Sequence, residues 1–237
     1  MIFEKNIFGL RSVRVVLDDD EAMRAAKSKR YARLEIISHT KLDFPGFIVQ
    51  EKQTGLIDLR GSPEEVLATF NKTTRNEIAR TFADPQFNFR TFTELPDDIH
   101  ALYEEFERKL GHDTPFSKEA LKGCIAFGAY YERELLAGIY VFPSAPIARI
   151  RAIFSRRSEH SHLVSFASRR LVYEICRWGI AEGRSAIDLA RVITEEGSNF
   201  KMSFNPRIIP EYVYRRASSV YAFLERVRIL ARKLLHV

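Results

Sequence analysis

The order of predicted elements between Phe87 and Arg215 constrains the fold of this chain most strongly. Three consecutive strand-like runs, Ile125–Tyr131, Leu135–Phe142 and Ala148–Ser155, follow one another with short joints. The first joint is the charged tight turn Glu132-Arg133-Glu134, and the second is the proline-rich turn between Pro143 and Pro146. Strands joined by such short turns pair antiparallel, so the three runs predict a meander.

Helices and single strands surround this predicted meander. A strand-like run, Phe87–Thr93, and two helical segments, Asp97–Leu110 and Ser117–Cys124, precede it. A long helix, about Leu163–Ala181, then a strand at Ser185–Leu189, a short helical stretch near Phe200 and a strand at Glu211–Arg215 follow it. The long helix has one apolar stripe at spacings of three and four, formed by Val164, Ala167, Leu171, Ile175 and Trp178. Such a stripe packs on a sheet, and Gly183 is predicted to end the helix.

The predicted order is one strand, two helices and three strands, followed by a helix, a strand, a helix and a strand. This order resembles that of the GNAT acyltransferase fold. Short motifs narrow the resemblance to the FemAB-like branch of that superfamily. They are Ile57-Asp58-Leu59, the K-x-x-R-N-x-I helix from Lys72 to Ile78, the G-x-x-x-x-D run from Gly183 to Asp188, and the pair Phe200-Lys201. The serine cap and proline at Ser62-Pro63 predict a helix that starts there and runs through Arg80.

The resemblance predicts the fold class and a division of the chain. The class is α/β (α+β), with a GNAT-like mixed, mostly antiparallel central sheet flanked by helices. A transferase domain is expected at 55–218, preceded by a partial β/α segment at 1–54 and followed by a basic amphipathic helix at 219–237. In the first segment, Ser12–Leu17 and Tyr31–Ile37 read as strands around a helix at Glu21–Lys27. FemAB proteins usually have two GNAT-like units, so this segment is either a remnant that extends the sheet or an acceptor-recognition cap.

Composition agrees with a globular enzyme, because 46% of the 237 residues are hydrophobic and 29% are charged. No apolar run approaches the roughly 20 residues that a membrane span needs. The N-terminus has no basic segment followed by an apolar stretch, so no secretory signal is expected. The two cysteines, Cys124 and Cys176, lie in apolar contexts and are interpreted as small buried residues. These features predict a cytoplasmic protein, with peripheral contact at the inner membrane surface as the open alternative.

The net charge of +6 predicts partners that carry phosphate. Arginines cluster around the third meander strand and the helix after it, at Arg149, Arg151, Arg156, Arg157, Arg169 and Arg170. Coenzyme A, a nucleotide-sugar, tRNA and anionic lipid are all partners of the kind that such a surface binds. The alternative is a charged surface that contacts only solvent. The sequence makes no prediction of oligomeric state.

The resemblance implies attack by an acceptor amine on an activated acyl carbon. In GNAT folds, backbone N–H groups exposed where the fourth and fifth strands separate polarise the carbonyl, and the next helix offers its N-terminus to phosphate. Here those places are Arg149–Ser155, which includes Arg151, and the helix start around Ser158–Val164, which includes Ser161. This start lacks the R-x-x-G-x-G/A loop of GNATs that bind coenzyme A, which disfavours acetyl-CoA.

Two residues are predicted to be catalytic on the basis of the resemblance. Lys201, in a helix that the Phe200-Lys201 pair is expected to open, would neutralise phosphate or stabilise charge on the developing intermediate. The alternative is an exposed lysine beside a core phenylalanine. Asp188, at the end of an apolar strand, would orient the acceptor amine or act as a base. The alternative is a buried, hydrogen-bonded carboxylate that holds the neighbouring loop.

The predicted donor-binding residues are Arg75, Asn76, Arg151, Ser161 and Phe200. For Arg75, a structural ion pair with Asp58 or Glu77 is the alternative. No tightly bound cofactor is expected, and the possible donors are acyl-CoA, an acyl-carrier protein or aminoacyl-tRNA. The expected acceptor is an amine on a cell-envelope glycan or a peptidoglycan-type precursor.

Three alternatives complete the predictions. The pair His160-x-His162 offers only two metal ligands, so no metal site is expected. The C-terminal helix, Val220–Leu235, has an apolar stripe with Arg226, Arg228, Arg232 and Lys233 between its members. It could dock on the sheet, form a dimer or lie on an anionic membrane, and docking is preferred. A non-catalytic binding module that uses its basic face for nucleic acid or a protein partner is the alternative to the enzyme.

Overall fold

The computed structural model describes residues 2–7, 9–28, 30–111, 115–156, 161–191, 195–224 and 227. The strands are β1 (Ile2–Ile7), β2 (Leu10–Val16), β3 (Arg33–Ser38), β4 (Ile48–Asp58), β5 (Phe87–Phe92), β6 (Ile125–Tyr131), β7 (Glu134–Phe142), β8 (Ile147–Ser155), β9 (Ala186–Arg191) and β10 (Arg207–Ala217). The α-helices are α1 (Asp19–Lys27), α2 (Pro63–Thr69), α3 (Lys72–Ala83), α4 (Asp97–Lys109), α5 (Ser161–Ala181) and α6 (Glu195–Met202). A 3-10 helix spans Lys118–Leu121, where the sequence predicted a longer helical segment.

The chain divides into two compact units. One comprises Met1–Lys52 and Pro210–Val237, and the other comprises Gln53–Ile209. The predicted division into 1–54, 55–218 and 219–237 as functional domains stays a prediction.

The larger unit contains strands in the order β4-β9-β8-β7-β6-β5. Only β8 and β9 pair in parallel, and the other four neighbouring pairs are antiparallel. Strands β6, β7 and β8 form the predicted meander. The mixed, mostly antiparallel sheet with flanking helices confirms the predicted GNAT-like fold class.

Helix α5 packs on this sheet through its predicted stripe. Val164, Ala167, Leu171 and Ile175 are all buried in the core. The helix ends at Ala181, and Gly183 adopts a φ of +67°, a backbone conformation that residues with a Cβ atom rarely adopt. Its N–H group donates to the carbonyl of Ile180 at 3.0 Å, so this glycine closes the helix as the sequence predicted.

The single helix predicted between Ser62 and Arg80 is wrong, because the structure has two helices there. Phe70 and Asn71 have extended backbone angles and separate α2 from α3. The Asn71 side chain accepts a hydrogen bond from the Thr74 N–H group at 2.7 Å. An N-cap of this kind begins a new helix, and the fully buried Phe70 fixes the turn in the core.

The smaller unit contains the strand order β1-β2-β3-β10, with α1 against one face of these strands. Strands β2 and β3 pair in parallel, whereas β1 with β2 and β3 with β10 are antiparallel. Val15, Leu34, Ile36 and Tyr214 form the centre of its core. The sequence predicted β2, α1, β3 and part of β10, but it did not predict β1.

The C-terminal segment is helical at 219–224 and at 227. The rest of the predicted helix, including its four cationic residues, lies outside the described residues. No helix in the described part of the chain is both long and apolar enough to cross a membrane.

Candidate active site

Strands β8 and β9 separate after a short stretch of pairing. They pair at Ile147 with Ala186, at Ala148 with Ile187 and at Arg149 with Asp188. Strand β8 continues to Ser155 without a further pair to the described part of β9. Residues 150–155 of β8 therefore lie where β8 and β9 have separated, the place at which the resemblance to GNAT folds predicted N–H groups that polarise the carbonyl; that role stays a prediction.

A β-bulge lies in β8 at the start of this separation. Pairing with β7 changes register between the pairs Val141–Ile150 and Tyr140–Ala152, so Arg151 has no partner position of its own on β7. A bulge of this kind bends the strand and redirects its side chains, and bulges occur often beside active sites. It explains why Arg151 borders the opening between the two strands.

A cavity of about 520 Å³ occupies the opening between β8 and β9. Its walls come from α4, β8, α5, β9 and α6. They are formed by Phe106, Ile150, Arg151, Ala152, Ile153, Phe154, Ser155, Ser161, Val164, Ser165, Ser168, Arg169, Leu189, Ala190, Phe200 and Lys201. This volume is within the usual range for small-ligand sites.

The described wall of this cavity contains three cations, Arg151, Arg169 and Lys201, and no carboxylate. The Lys201 ammonium donates to the backbone carbonyl of Arg191 at 2.7 Å, which holds it at the end of β9. The Arg151 guanidinium stacks 3.9 Å from the ring centroid of Phe116. A wall of this charge attracts an anionic ligand.

Arg169 is the cation that the sequence did not single out for the site. It forms an ion pair with Glu77 at 3.0 Å and lies 5.6 Å from the ring centroid of Phe200. Its Nε atom is buried without a hydrogen-bond partner among the described residues. A buried donor of this kind is stabilised by an acceptor, and a bound anion would supply one. A sequence signal existed, because Ser161, Ser165 and Ser168 form a polar stripe at spacings of four and three on the same helix.

Asp188 lies beside the cavity but does not line it. The carboxylate is fully buried and accepts hydrogen bonds from the Thr54 hydroxyl, from the Arg149 guanidinium at 2.5 Å and from the Ala190 N–H group at 2.7 Å. Ala190 has a φ of +58°, which is unfavourable for a residue with a Cβ atom. These contacts correspond to the alternative in which Asp188 holds the neighbouring loop.

Of the other predicted site residues, Arg151, Ser161, Phe200 and Lys201 all line the cavity. The expectation that Phe200 and Lys201 open a helix is wrong, because both lie in the last turn of α6. Catalytic and donor-binding roles for these residues stay predictions.

Arg75 and Asn76 do not line the cavity. The Arg75 guanidinium donates to the backbone carbonyls of Ala68, at 3.2 Å, and of Phe70. It therefore stabilises the end of α2, rather than pairing with Asp58 or Glu77. Asn76 is exposed on α3. The predicted helix start at Ser158–His160 and the first histidine of the His160-x-His162 pair lie outside the described residues.

Neither cysteine has the properties of a nucleophile. Cys124 and Cys176 are both buried free thiols. Burial raises the pKa of Cys124 to about 12 and raises the pKa of Cys176 as well. Both thiols are therefore protonated at neutral pH, when they cannot act as thiolates.

Comparisons with known proteins identify the fold through structure and not through sequence. No protein-family model matches the sequence, and neither does any curated protein. FemX matches with a TM-score of 0.61 and 10% identity, over 94% of this chain and 86% of that chain. The DUF2156 C-terminal domain of a proposed lysylphosphatidylglycerol synthetase from Agrobacterium fabrum matches with a TM-score of 0.55 and 13% identity, over 97% and 85%. L-PGS from Bacillus licheniformis matches with a TM-score of 0.53 and 15% identity, over 91% and 80%. With this sheet order the chain has a GNAT-like fold, and this fold is similar to the folds of FemX and of the lysylphosphatidylglycerol synthetase domain.

Proposed function

We propose that this protein transfers an acyl or aminoacyl group from a phosphate-bearing donor to an amine. The observation that carries this proposal is the cavity at the separation of β8 and β9. Three cations and the part of the β8 edge that does not pair with the described β9 meet there, and no described carboxylate lines the wall. A site with this charge favours a ligand that is anionic at one end, and its apolar walls accept the acyl part.

The cations and the apolar residues suggest an orientation for the donor. Lys201 and Arg169 lie with Ser161, Ser165 and Ser168 on the α5 and α6 side, where phosphate oxygens find charged and hydroxyl donors. Phe106, Ile150 and Phe154 provide apolar surface toward α4 and β8. In this orientation the reactive carbonyl lies along residues 150–155 of β8.

The chemistry follows from that position. The amine nitrogen attacks the acyl carbon, a C–N bond forms, and negative charge develops on the carbonyl oxygen. Backbone N–H groups on the edge of β8 stabilise this oxyanion, and Lys201 stabilises the phosphate-bearing end. The C–O or C–S bond to the donor then breaks. The amine proton passes to the leaving oxygen or sulfur, directly or through water, because no described cavity residue is a carboxylate base.

Asp188 acts in this proposal as a positioning residue. Its bonds to Arg149, Thr54 and the N–H group of Ala190 fix the end of β9, which forms one wall of the cavity. The same strand end supplies the carbonyl of Arg191 that holds Lys201. Asp188 thereby sets the location of Lys201 without contacting substrate.

The proposal includes a donor class and an acceptor class. The run Ser155-Arg156-Arg157-Ser158-Glu159 contains no glycine, so the loop that cradles coenzyme A in acetyl-transferring GNATs is not encoded. This favours aminoacyl-tRNA or an acyl-carrier protein over acetyl-CoA. The name lysylphosphatidylglycerol synthetase denotes a product in which a lysyl group is joined to the lipid phosphatidylglycerol. It supports aminoacyl transfer to an acceptor at a membrane, and we propose an amine on a cell-envelope glycan or a peptidoglycan-type precursor as that acceptor.

A donor panel tests the proposal. The purified protein is incubated with acyl-CoA, acyl-carrier protein or aminoacyl-tRNA, each labelled in the acyl group, together with an amine-bearing peptidoglycan precursor. We expect label in an amide that resists mild alkali, from at least one donor. If a donor raises the melting temperature but no label moves, the chain is the binding module and the enzymatic proposal fails.

A further inference from the structure

Three apolar side chains form an exposed stripe on the C-terminal helical segment. Val220, Phe223 and Val227 are 60%, 65% and 45% exposed. Their spacings of three and four place them on one side of a helix. Docking on the core was preferred from the sequence, but this side of the segment faces solvent in the described structure. Contiguous exposed apolar surface of this kind marks an interaction site.

The segment is held to its own unit on another side. Tyr221 is only 4% exposed, and the Arg33 guanidinium lies 5.7 Å from its ring centroid. The Ser218 N–H group also donates to the carbonyl of Ala32 at 2.8 Å. These contacts fix the beginning of the helix next to β3, so the exposed stripe has a defined place on the unit.

Three arginines lie on the sheet face beside this segment. Arg14, Arg33 and Arg215 surround Glu35 at 2.7, 3.9 and 3.0 Å. Three positive charges and one negative charge leave a local excess of two. The arginine side chains are 32%, 32% and 49% exposed, whereas that of Glu35 is 8% exposed. The excess positive charge therefore lies at the surface, where it attracts an anion.

We propose that Arg14, Arg33, Arg215, Val220, Phe223 and Val227 form a membrane-binding surface for anionic phospholipid. The apolar stripe enters the boundary between headgroups and acyl chains, and the guanidiniums contact the lipid phosphates. The sequence adds further cations to the same end of the chain, at Arg226, Arg228, Arg232 and Lys233. An RNA partner would use the cations but would leave the apolar stripe in water. The proposal is independent of acyl transfer, since none of these residues lines the cavity.

Sedimentation with vesicles tests this surface in the full chain. We expect binding to phosphatidylglycerol vesicles, no binding to phosphatidylcholine vesicles, and weaker binding as salt increases. Phe223→Glu should lower the partition coefficient about tenfold or more, because it removes the largest inserted side chain. Arg215→Gln should lower it about fivefold, the usual effect of one arginine near an anionic surface.

Matched variants make the test specific. Leu110→Glu changes a leucine that is 51% exposed in the other unit, and it should bind vesicles as the unchanged protein does. Lys201→Met should also bind normally, which separates this surface from the active site. If Phe223→Glu loses helical circular dichroism, the milder Phe223→Ser replaces it. The proposal is overturned if the unchanged protein does not bind anionic vesicles. It is also overturned if the folded Phe223 variant binds these vesicles as tightly as the Leu110→Glu control. Salt-sensitive RNA binding in place of vesicle binding would equally overturn it.

Discussion

Replacing Asp188 by asparagine distinguishes a carboxylate that positions the end of β9 from one that transfers a proton. The substitution keeps the size of the side chain and removes its charge. Arg149, whose side chain is 8% exposed, then has no carboxylate at its 2.5 Å contact. The amide can still accept from Thr54 or from the Ala190 N–H group, so the main loss is that of the ion pair.

The size of this loss follows from the burial of both partners. Removing one member of a buried ion pair costs about 3–5 kcal/mol, because the remaining charge stays out of water. The lower end applies here, since an asparagine retains part of the hydrogen bonding. With a urea dependence of about 2 kcal/mol per molar, a loss of about 3 kcal/mol lowers the unfolding midpoint by about 1.5 M.

The fluorescence of Trp178 reports this transition in the correct unit, because it is the only tryptophan in the chain and packs 5.8 Å from Phe127. Asp58→Asn is the matched control, since it breaks the exposed pair between Asp58 and Arg60, and its midpoint should stay close to that of the unchanged protein. A general base predicts a different result, in which Asp188→Asn abolishes turnover but its urea midpoint equals that of the Asp58→Asn control. That result would refute the positioning role.

Three further substitutions test separate parts of the structure. Arg75→Ala removes hydrogen bonds to carbonyls at the end of α2, so it should lower the free energy of unfolding in urea by about 1–2 kcal/mol and leave the KM for the donor unchanged. A raised KM would show that Arg75 contributes to donor binding. Gly138→Ala places a Cβ atom 2.4 Å from the ring of Phe154, and this overpacking should cost about 1–3 kcal/mol, whereas an unchanged melting temperature would contradict the packing. Burial raises the pKa of Glu35, but the three arginines around it outweigh burial and hold the pKa below its usual value. A lowered pKa stabilises the fold above the unfolded value of about 4.3 and loses this effect as the pH falls. Glu35→Gln should therefore lower stability at pH 7 and flatten the decline of stability below about pH 4.5; an unaltered pH profile would show that Glu35 contributes nothing.

Local patterns in the sequence predicted the centre of the fold well. The meander of β6, β7 and β8 follows from apolar runs of strand length between short turns, and the α5 stripe follows from its spacing. The break between α2 and α3 was missed, although Asn71 is a good N-cap, because the apolar positions continue across it. Strand β1 was missed because its run, Ile-Phe-Glu-Lys-Asn-Ile, is short and has no regular alternation.

The candidate site was predictable only where a motif or an element boundary marked it. Lys201 came from the Phe-Lys pair, and Arg151 and Ser161 came from the element order. The environment of Asp188 depends on Thr54, which is 134 positions away in the chain. No local pattern encodes such a contact, since it arises only when β4 and β9 pair. Arg169 was not predicted for a similar reason, because Glu77 and Phe200, which hold it, come from two other helices.

Single-turnover transfer of a labelled acyl group, by the unchanged protein and by Lys201→Met with the active donor of the panel, measures what the cavity cations contribute to acyl transfer. Loss of one fixed charge at the phosphate-bearing end should lower the rate about 100-fold, with unfolding by urea unchanged. Lys109→Met, at an exposed lysine paired with Glu105, is the control and should transfer at the normal rate. A folded Lys201→Met protein that transfers the acyl group as fast as this control would show that Lys201 has no part in the transfer.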